Sequence, residues 1–314
     1  MLRLFIGSFL VLMMTATSPC SGSFQREWTL HRTASGAHPN GIEQQYLWWM
    51  NRARRNPTAE GLFLSNLSDP LVRSRISGFG VDLSLLREEF AATAPRPPAA
   101  FDVRLYNAAR AHSLDMIARD RQDHLGQSAR VAAAGFRTRL HRGNAYAFAE
   151  TPLEGHAAFN IDWGGSDGTG MQSGRPHRKA IMSIDAVMTN VGIAAVPETD
   201  RRTQVGPSVV TGDFEMADES FPNHHNRFLV GTVWTDRNGN GSYDPGEGLA
   251  GVTVTPSGGP FYAVTAAGGG YAIPVLAPAQ MDVTFLGPGA PARTRTVWVG
   301  STSVLVDYVV PKPR

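Results

Sequence analysis

Beyond the polar stretch "ADESFPNHHNR", the chain breaks into short β-rich runs: "FLVGTVW", "GVTVT", "FYAVT", "YAIPV", "MDVTF", "TVWVG" and "SVLVDYVV". Gly and Pro turns part them, and none is long enough for a stable helix. This spacing predicts a small all-β sandwich over residues 229–314. The texture before it is different. In "IEQQYLWWMNRARRNP" the apolar Ile42, Tyr46, Leu47, Trp49 and Met50 recur at helical spacing, with Pro57 past the end. A second helical face runs through "FDVRLYNAARAHSLDMIARD", where Leu105, Ala108, Ala109, His112, Leu114, Met116 and Ile117 align. The stretch between them, with the breaker "APRPP", reads as loop-rich. Shorter helical pieces follow at "SARVAAAGF" and "HRKAIMS", and then "NVGIAAV" and "PSVVTGDF" read as strands. The expected class is α+β, in two domains.

With 314 residues, 42% hydrophobic and 18% charged, the chain can bury two cores. A net charge of +2 with scattered arginines gives no basic tract interleaved with aromatics, which argues against nucleic acid as a partner. "MLRLFIGSFLVLMMTATSPCSGS" has an early Arg3, an apolar run from Leu4 to Met14 and then small residues, the layout of a secretory signal over 1–22. The alternative, an anchor helix, would need roughly 20 apolar residues. No later run reaches that length, so no membrane span is expected. Cys20 is the only cysteine, which leaves the exported part without a disulfide option. A lipidated Cys20 would tether the protein at a cell surface, but Thr17 and Pro19 depart from the usual lipoprotein pattern. Residues 23–40 read as a linker, 41–218 as the first domain, and 219–228 as a second linker.

"DRNGNGSYDPGE", residues 236–247, sets oxygen-bearing side chains at loop positions one, three, five, nine and twelve, with Gly241 at six. This is EF-hand ligand spacing, although the flanking runs are strands rather than helices. Asp236, Asn238, Asn240, Asp244 and Glu247, with the Ser242 carbonyl, are the candidate Ca²⁺ ligands. An Asx-rich turn without an ion is the plainer alternative. "GTVWTDRNGNGSYDPGEGLAGVTVT" resembles the calcium-binding B repeats of bacterial surface adhesins. The resemblance implies a calcium-stapled β module.

In the first domain "NRARRNPTAEG", "AARAHSLDMIARDRQDHLGQ", "AAGF", "RGNAYAFAE", "GMQSGRPHRKAIM", "NVGIA" and "GPSVVTGDF" occur in an order that resembles the bacterial branch of the CAP superfamily. That family comprises the cysteine-rich secretory, antigen 5 and pathogenesis-related-1 proteins. The resemblance implies an α-β-α sandwich with a cleft of two histidines and two acidic residues that binds a divalent metal in some members. His124 and His177 match the histidines. Arg142, beside Gly143 and Asn144, falls where the family has a metal-binding glutamate, and a guanidinium has no lone pair to offer. That works against Zn²⁺ in the cleft. Glu154 and Asp162 both remain candidates for the second acid. His124, Arg142, Asn144 and His177 form the expected ligand-binding set, suited to an anionic or lipid-like molecule, unless Arg142 turns outward or pairs with Asp123 or Glu150. His112 reads as a packing residue.

The expectation is a secreted or surface-held, monomeric protein. Its first domain binds a small ligand or cell-surface component without catalysis, and calcium is expected to stabilise only the β module. The alternatives are an extracellular hydrolase using His124 and His177, with or without a metal, and a structural protein with an inactive cleft. No "GxSxG", "HExxH" or catalytic cysteine supports the hydrolase.

Overall fold

A computed structural model describes residues 24–165 and 167–312. The signal segment and Cys20 lie outside the described residues. The chain opens with a short strand, β1 (Arg26–Glu27), and then enters helix α1 (Gly41–Arg55). Asn40 and Glu43 start that helix with a reciprocal capping box. Three further helices follow: α2 (Pro57–Ser65), α3 (Pro70–Phe79) and α4 (Leu83–Ala91). The loop-rich reading of this stretch was wrong. Pro57 and Pro70 occupy the first helical turn, where a missing N–H costs nothing, and Asn56, Asp69 and Asp82 cap the three N-termini.

After β2 (Ala100–Phe101) come α5 (Val103–Ala118), α6 (Gln127–Ala133), β3 (Thr138–Tyr146), α7 (Pro152–Ile161), α8 (Pro176–Ile181), β4 (Asn190–Pro197) and β5 (Ser208–Ala217). The four strands order as β2-β4-β5-β3, parallel only between β2 and β4. Alternation along β5 sends Thr211 and Asp213 to Ser113 of α5 and Gln127 of α6, while Val210 and Phe214 enter the larger core with α1 and α7 residues. Helices thus cover both faces, and β3 is left as an edge. That edge is where the site forms.

The remaining strands are β6 (Phe228–Trp234), β7 (Thr253–Pro256), β8 (Phe261–Val264), β9 (Gly270–Pro274), β10 (Ala279–Gly287), β11 (Ala290–Val299), β12 (Val304–Leu305) and β13 (Tyr308–Val309). They form two sheets, one ordered β1-β8-β7-β10-β11 and one of β6 with β9, β12 and β13. Leu229, Tyr271, Val254, Val283 and Phe285 draw both sheets into one core.

The 23–40 segment is not a linker. Arg26 and Glu27 pair in parallel with Phe261 and Tyr262, and the Trp28 N–H donates to the Tyr262 carbonyl at 2.8 Å. Trp28 is buried in the β core, and the ring of buried His31 reaches the carbonyls of Trp28 and Val264. Its polar composition concealed one large apolar side chain, and that side chain sets its place. The α+β class stands. Among the described residues, no helix is long and apolar enough to cross a membrane.

Candidate functional site

Two helix-edge histidines meet at β3. His124 sits in the turn between α5 and α6, and His177 is the second residue of α8. Their ring centroids are 6.1 Å apart and nearly parallel, at 26°. Each ring is held through Nδ1. Asp162, in a left-handed conformation at the end of α7, accepts from His177 Nδ1–H at 2.7 Å and from the His177 backbone N–H at 2.8 Å. His124 Nδ1–H donates to Gln127 Oε1 at 2.8 Å. The Gln127 amide is oriented because its Nε2–H groups face acceptors, the Asp213 carboxyl at 2.8 Å and the Gly212 carbonyl at 3.3 Å. No described residue hydrogen-bonds Nε2 of either ring. Two imidazoles with fixed Nδ1–H groups therefore present acceptor nitrogens to whatever enters.

Asp162, and not Glu154, is the acid beside His177. Glu154 is fully buried and occupied elsewhere, accepting from Arg75, Tyr146 and the Glu150 backbone. Asn144 is also fully buried and donates to the His177 carbonyl at 3.0 Å, so it braces α8 and does not line the cleft surface. Arg142 lines a cavity with His124 and is ion-paired, as one of the two expectations had it, but with a different partner. Its Nη2–H points to Asp185 at 3.3 Å, and neither Asp123 nor Glu150 is its partner. Asp123 is held by Arg119 and Arg121, and Glu150 by Arg75. His112 is buried, donating from Nε2 to the Asp123 carbonyl.

The sequence reading missed a pair of carboxyls behind the site. Asp213 and Glu215, two apart on β5, are both fully buried on the face that meets α6 and β3. Burial pushes Asp213 up to about 8; the Gln127 hydrogen bond opposes this and the neighbouring Glu215 adds to it. Glu215 is raised by burial against its bond to His141 Nδ1 at 2.5 Å. For His141, burial is the largest effect and disfavours the charged form, but that bond together with the charges of Glu215 and Asp213 outweighs it and raises the pKa. The signal was there to read, since "TGDFEM" puts acids at alternate positions of an otherwise apolar strand. Gly143, between His141 and Asn144, is where Gln127 fits. A Cβ at 143 would stand 2.4 Å from Gln127 Oε1.

Two cavities flank the histidines along the β3 edge. One, of about 230 Å³, is lined by Tyr146, Phe148, Phe159 and Trp163, with Arg75 and His177 also on its wall. The other, of about 360 Å³, is polar and cationic, with His124, His141, Arg142 and Ser128 on its wall and no carboxylate among its lining residues. A narrower crevice between α1 and the β6 and β9 strands measures only about 40 Å³, room for a few waters.

Among the described residues no three His, Cys, Asp or Glu side chains converge as a metal centre. The 236–247 loop has to be judged on its whole oxygen set. The Asn238 and Asn240 amides both donate to Asp244 Oδ2, at 2.7 and 2.8 Å, so positions three, five and nine meet at one point. Each amide oxygen accepts a backbone N–H, Asn238 Oδ1 from Asn240 at 3.0 Å and Asn240 Oδ1 from Ser242 at 2.7 Å, so turning either amide over to present its oxygen there gives up that bond. Asp236 accepts from the Gly239 and Gly241 N–H groups, and the nearly buried Glu247 from those of Arg237 and Asp244. By type, three carboxylates, two amide oxygens and the Ser242 carbonyl are the hard oxygen donors that calcium takes, although the three carboxylates do not converge on one point.

No protein-family model matches the chain, and no curated protein matches it at a significant level.

Proposed function

We propose that the chain is a secreted protein of CAP type, an α-β-α sandwich followed by a calcium-binding β sandwich, whose cleft binds a small amphipathic molecule without catalysis. One observation carries the reading: the aromatic cavity has His177 on its wall and the cationic cavity has His124, two rings 6.1 Å apart. A ligand lying along the β3 edge would put its apolar body against Phe159 and Trp163 and its anionic head against His141 and Arg142, with the acceptor Nε2 of His124 taking a hydroxyl of that head. The order of sequence phrases, the helices on both faces of a four-stranded sheet and the meeting of His124 with His177 support the family reading. The loop from Asp236 to Glu247 would hold Ca²⁺, which ties the loop down.

Each buried methylene contributes about 0.8 kcal/mol, so six of them lower Kd by roughly three to four orders of magnitude. Titration of the full chain with decyl phosphate, followed by tryptophan fluorescence, should therefore show micromolar binding, with inorganic phosphate far weaker. Phe159→Arg should remove the gain from the chain. Equal weak binding of both probes would overturn the reading. The alternative hydrolase draws on the Asp162–His177 bond, which leaves Nε2 available as a base. It requires a bound metal or a water held by the pair, and stoichiometric zinc binding lost in both His124→Ala and His177→Ala would favour it.

A further inference from the structure

We infer that Gln45, on α1 and outside the 236–247 loop, is a positioning residue of the cation site, so that calcium tightens the junction between the helical unit and the β unit. This rests on the reading that the loop takes calcium.

Gln45 is 4% exposed, and a buried primary amide needs partners for its N–H groups. It finds them only across the junction. Nε2–H donates to the Tyr243 carbonyl at 3.1 Å and to Asp244 Oδ1 at 3.0 Å. Asp244 is the residue whose other oxygen receives Asn238 and Asn240, so Gln45 sets the plane in which that carboxylate faces the loop interior. Nothing inside the loop supplies this bond. The rest of the contact is equally close. Gly41, at the start of α1, lies so near the loop that a Cβ there would be 3.1 Å from Pro245 Cα and 3.2 Å from the Gly246 nitrogen. Tyr243, fully buried, donates its hydroxyl to the Gly268 carbonyl and packs edge-on to Trp234, which in turn meets Trp48 of α1. The Gly268 N–H donates to the Pro39 carbonyl, closing the ring of contacts.

The inner side of the loop is therefore built against α1. Without a cation, Asp236, Asp244 and Glu247 put three like charges into one loop, and drawing them together in the conformation of Tyr243 to Gly246 that α1 packs on is opposed by their repulsion. A bound cation removes the repulsion and favours the docked helix. By linkage the docked helix raises cation affinity by the same factor. Partners that orient a ligating side chain are commonly worth about 10 to 100-fold in metal affinity.

The test uses the full chain and calcium alone. Calorimetric titration should give one site in the wild type, none in Asp236→Ala, and about tenfold weaker binding both in Gln45→Ala and in Gln45→Met, which keeps a side chain of similar length without the N–H donors. Hydrogen exchange should show α1 amides gaining protection with calcium in the wild type and losing most of that gain in Gln45→Ala. Equal calcium affinity in wild type and Gln45→Ala, with α1 exchange indifferent to calcium, would overturn the inference while leaving the calcium site intact. A wild-type chain that binds no calcium would overturn both.

Discussion

Asp213 is held where a carboxylate is least at home, fully buried and two residues from a second buried acid. Its folded pKa, pushed up to about 8 by burial, lies above the unfolded value near 3.9. The folded state therefore holds the proton more tightly. The stability this group contributes is fully present below about pH 4 and is lost as pH rises through about 8. Asp213→Asn keeps an acceptor for Gln127 and removes the titration. It should flatten the fall of thermal stability between about pH 4 and 8 and gain on the order of 3 kcal/mol at pH 9, discounted from about 1.4 kcal/mol per pH unit. Parallel pH profiles of mutant and wild type would argue that Asp213 is not the titrating group. At this scale the sequence was partly legible. His124 and His177 could be named because their phrases recur in order, but the roles of Gln127 and Gly143 depend on α6 lying over β3. That crossing brings together residues 16 apart with no local pattern. The partner of Arg142 was missed for the same kind of reason: strand alternation sends it to the α8 side, where Asp185 and not Asp123 or Glu150 is within reach.

Elements with strong periodicity were legible, namely α1, α5, β4, β5 and the C-terminal strands. The helices from Pro57 to Ala91 were not, because proline reads as a breaker unless the capping residue before it is given equal weight. β1 was the hardest. It has two residues and no alternation, and its partner β8 lies more than 200 positions away, so only tertiary burial defines it. What holds it is Trp28, packed edge-on to Phe261 at 5.1 Å and sealed in the β core. Trp28→Ala should cost about 3–5 kcal/mol, the usual penalty for emptying an indole-sized space. Chemical denaturation followed by Tyr and Trp signals of the β unit is the measurement. A loss under 1 kcal/mol would mean that the segment is merely laid on the surface.

For the whole molecule, two cores and an α+β class followed from composition and pattern, whereas the way the units are joined did not. Gln44 and Gln45 bond to Thr232, Tyr243 and Asp244, and Trp48 meets Trp234, so one amphipathic helix serves both cores. Calcium is therefore expected to raise the unfolding temperature of the full chain as one transition, and not of the β unit alone. At a hundredfold excess over Kd an ion specific to the folded state adds about 2.7 kcal/mol. Calorimetric scans resolving two transitions, only one of them moved by calcium, would show the units to be thermally independent. The return of β1 to β8 also fixes how the molecule would carry load. Residues 26–31 and 308–310 are both held in the β unit, so tension applied between the two ends runs through the β1–β8 and β13–β6 pairings and passes by the histidine cleft. Both pairings are parallel and only two residues long, so a pull along them loads their few hydrogen bonds together instead of unzipping them in turn, and the buried Trp28 and Tyr308 have to carry much of the strain. The helical unit, strung as a loop between β1 and β6, sits outside the line of force and can keep its cleft in shape while the strands beneath it are strained.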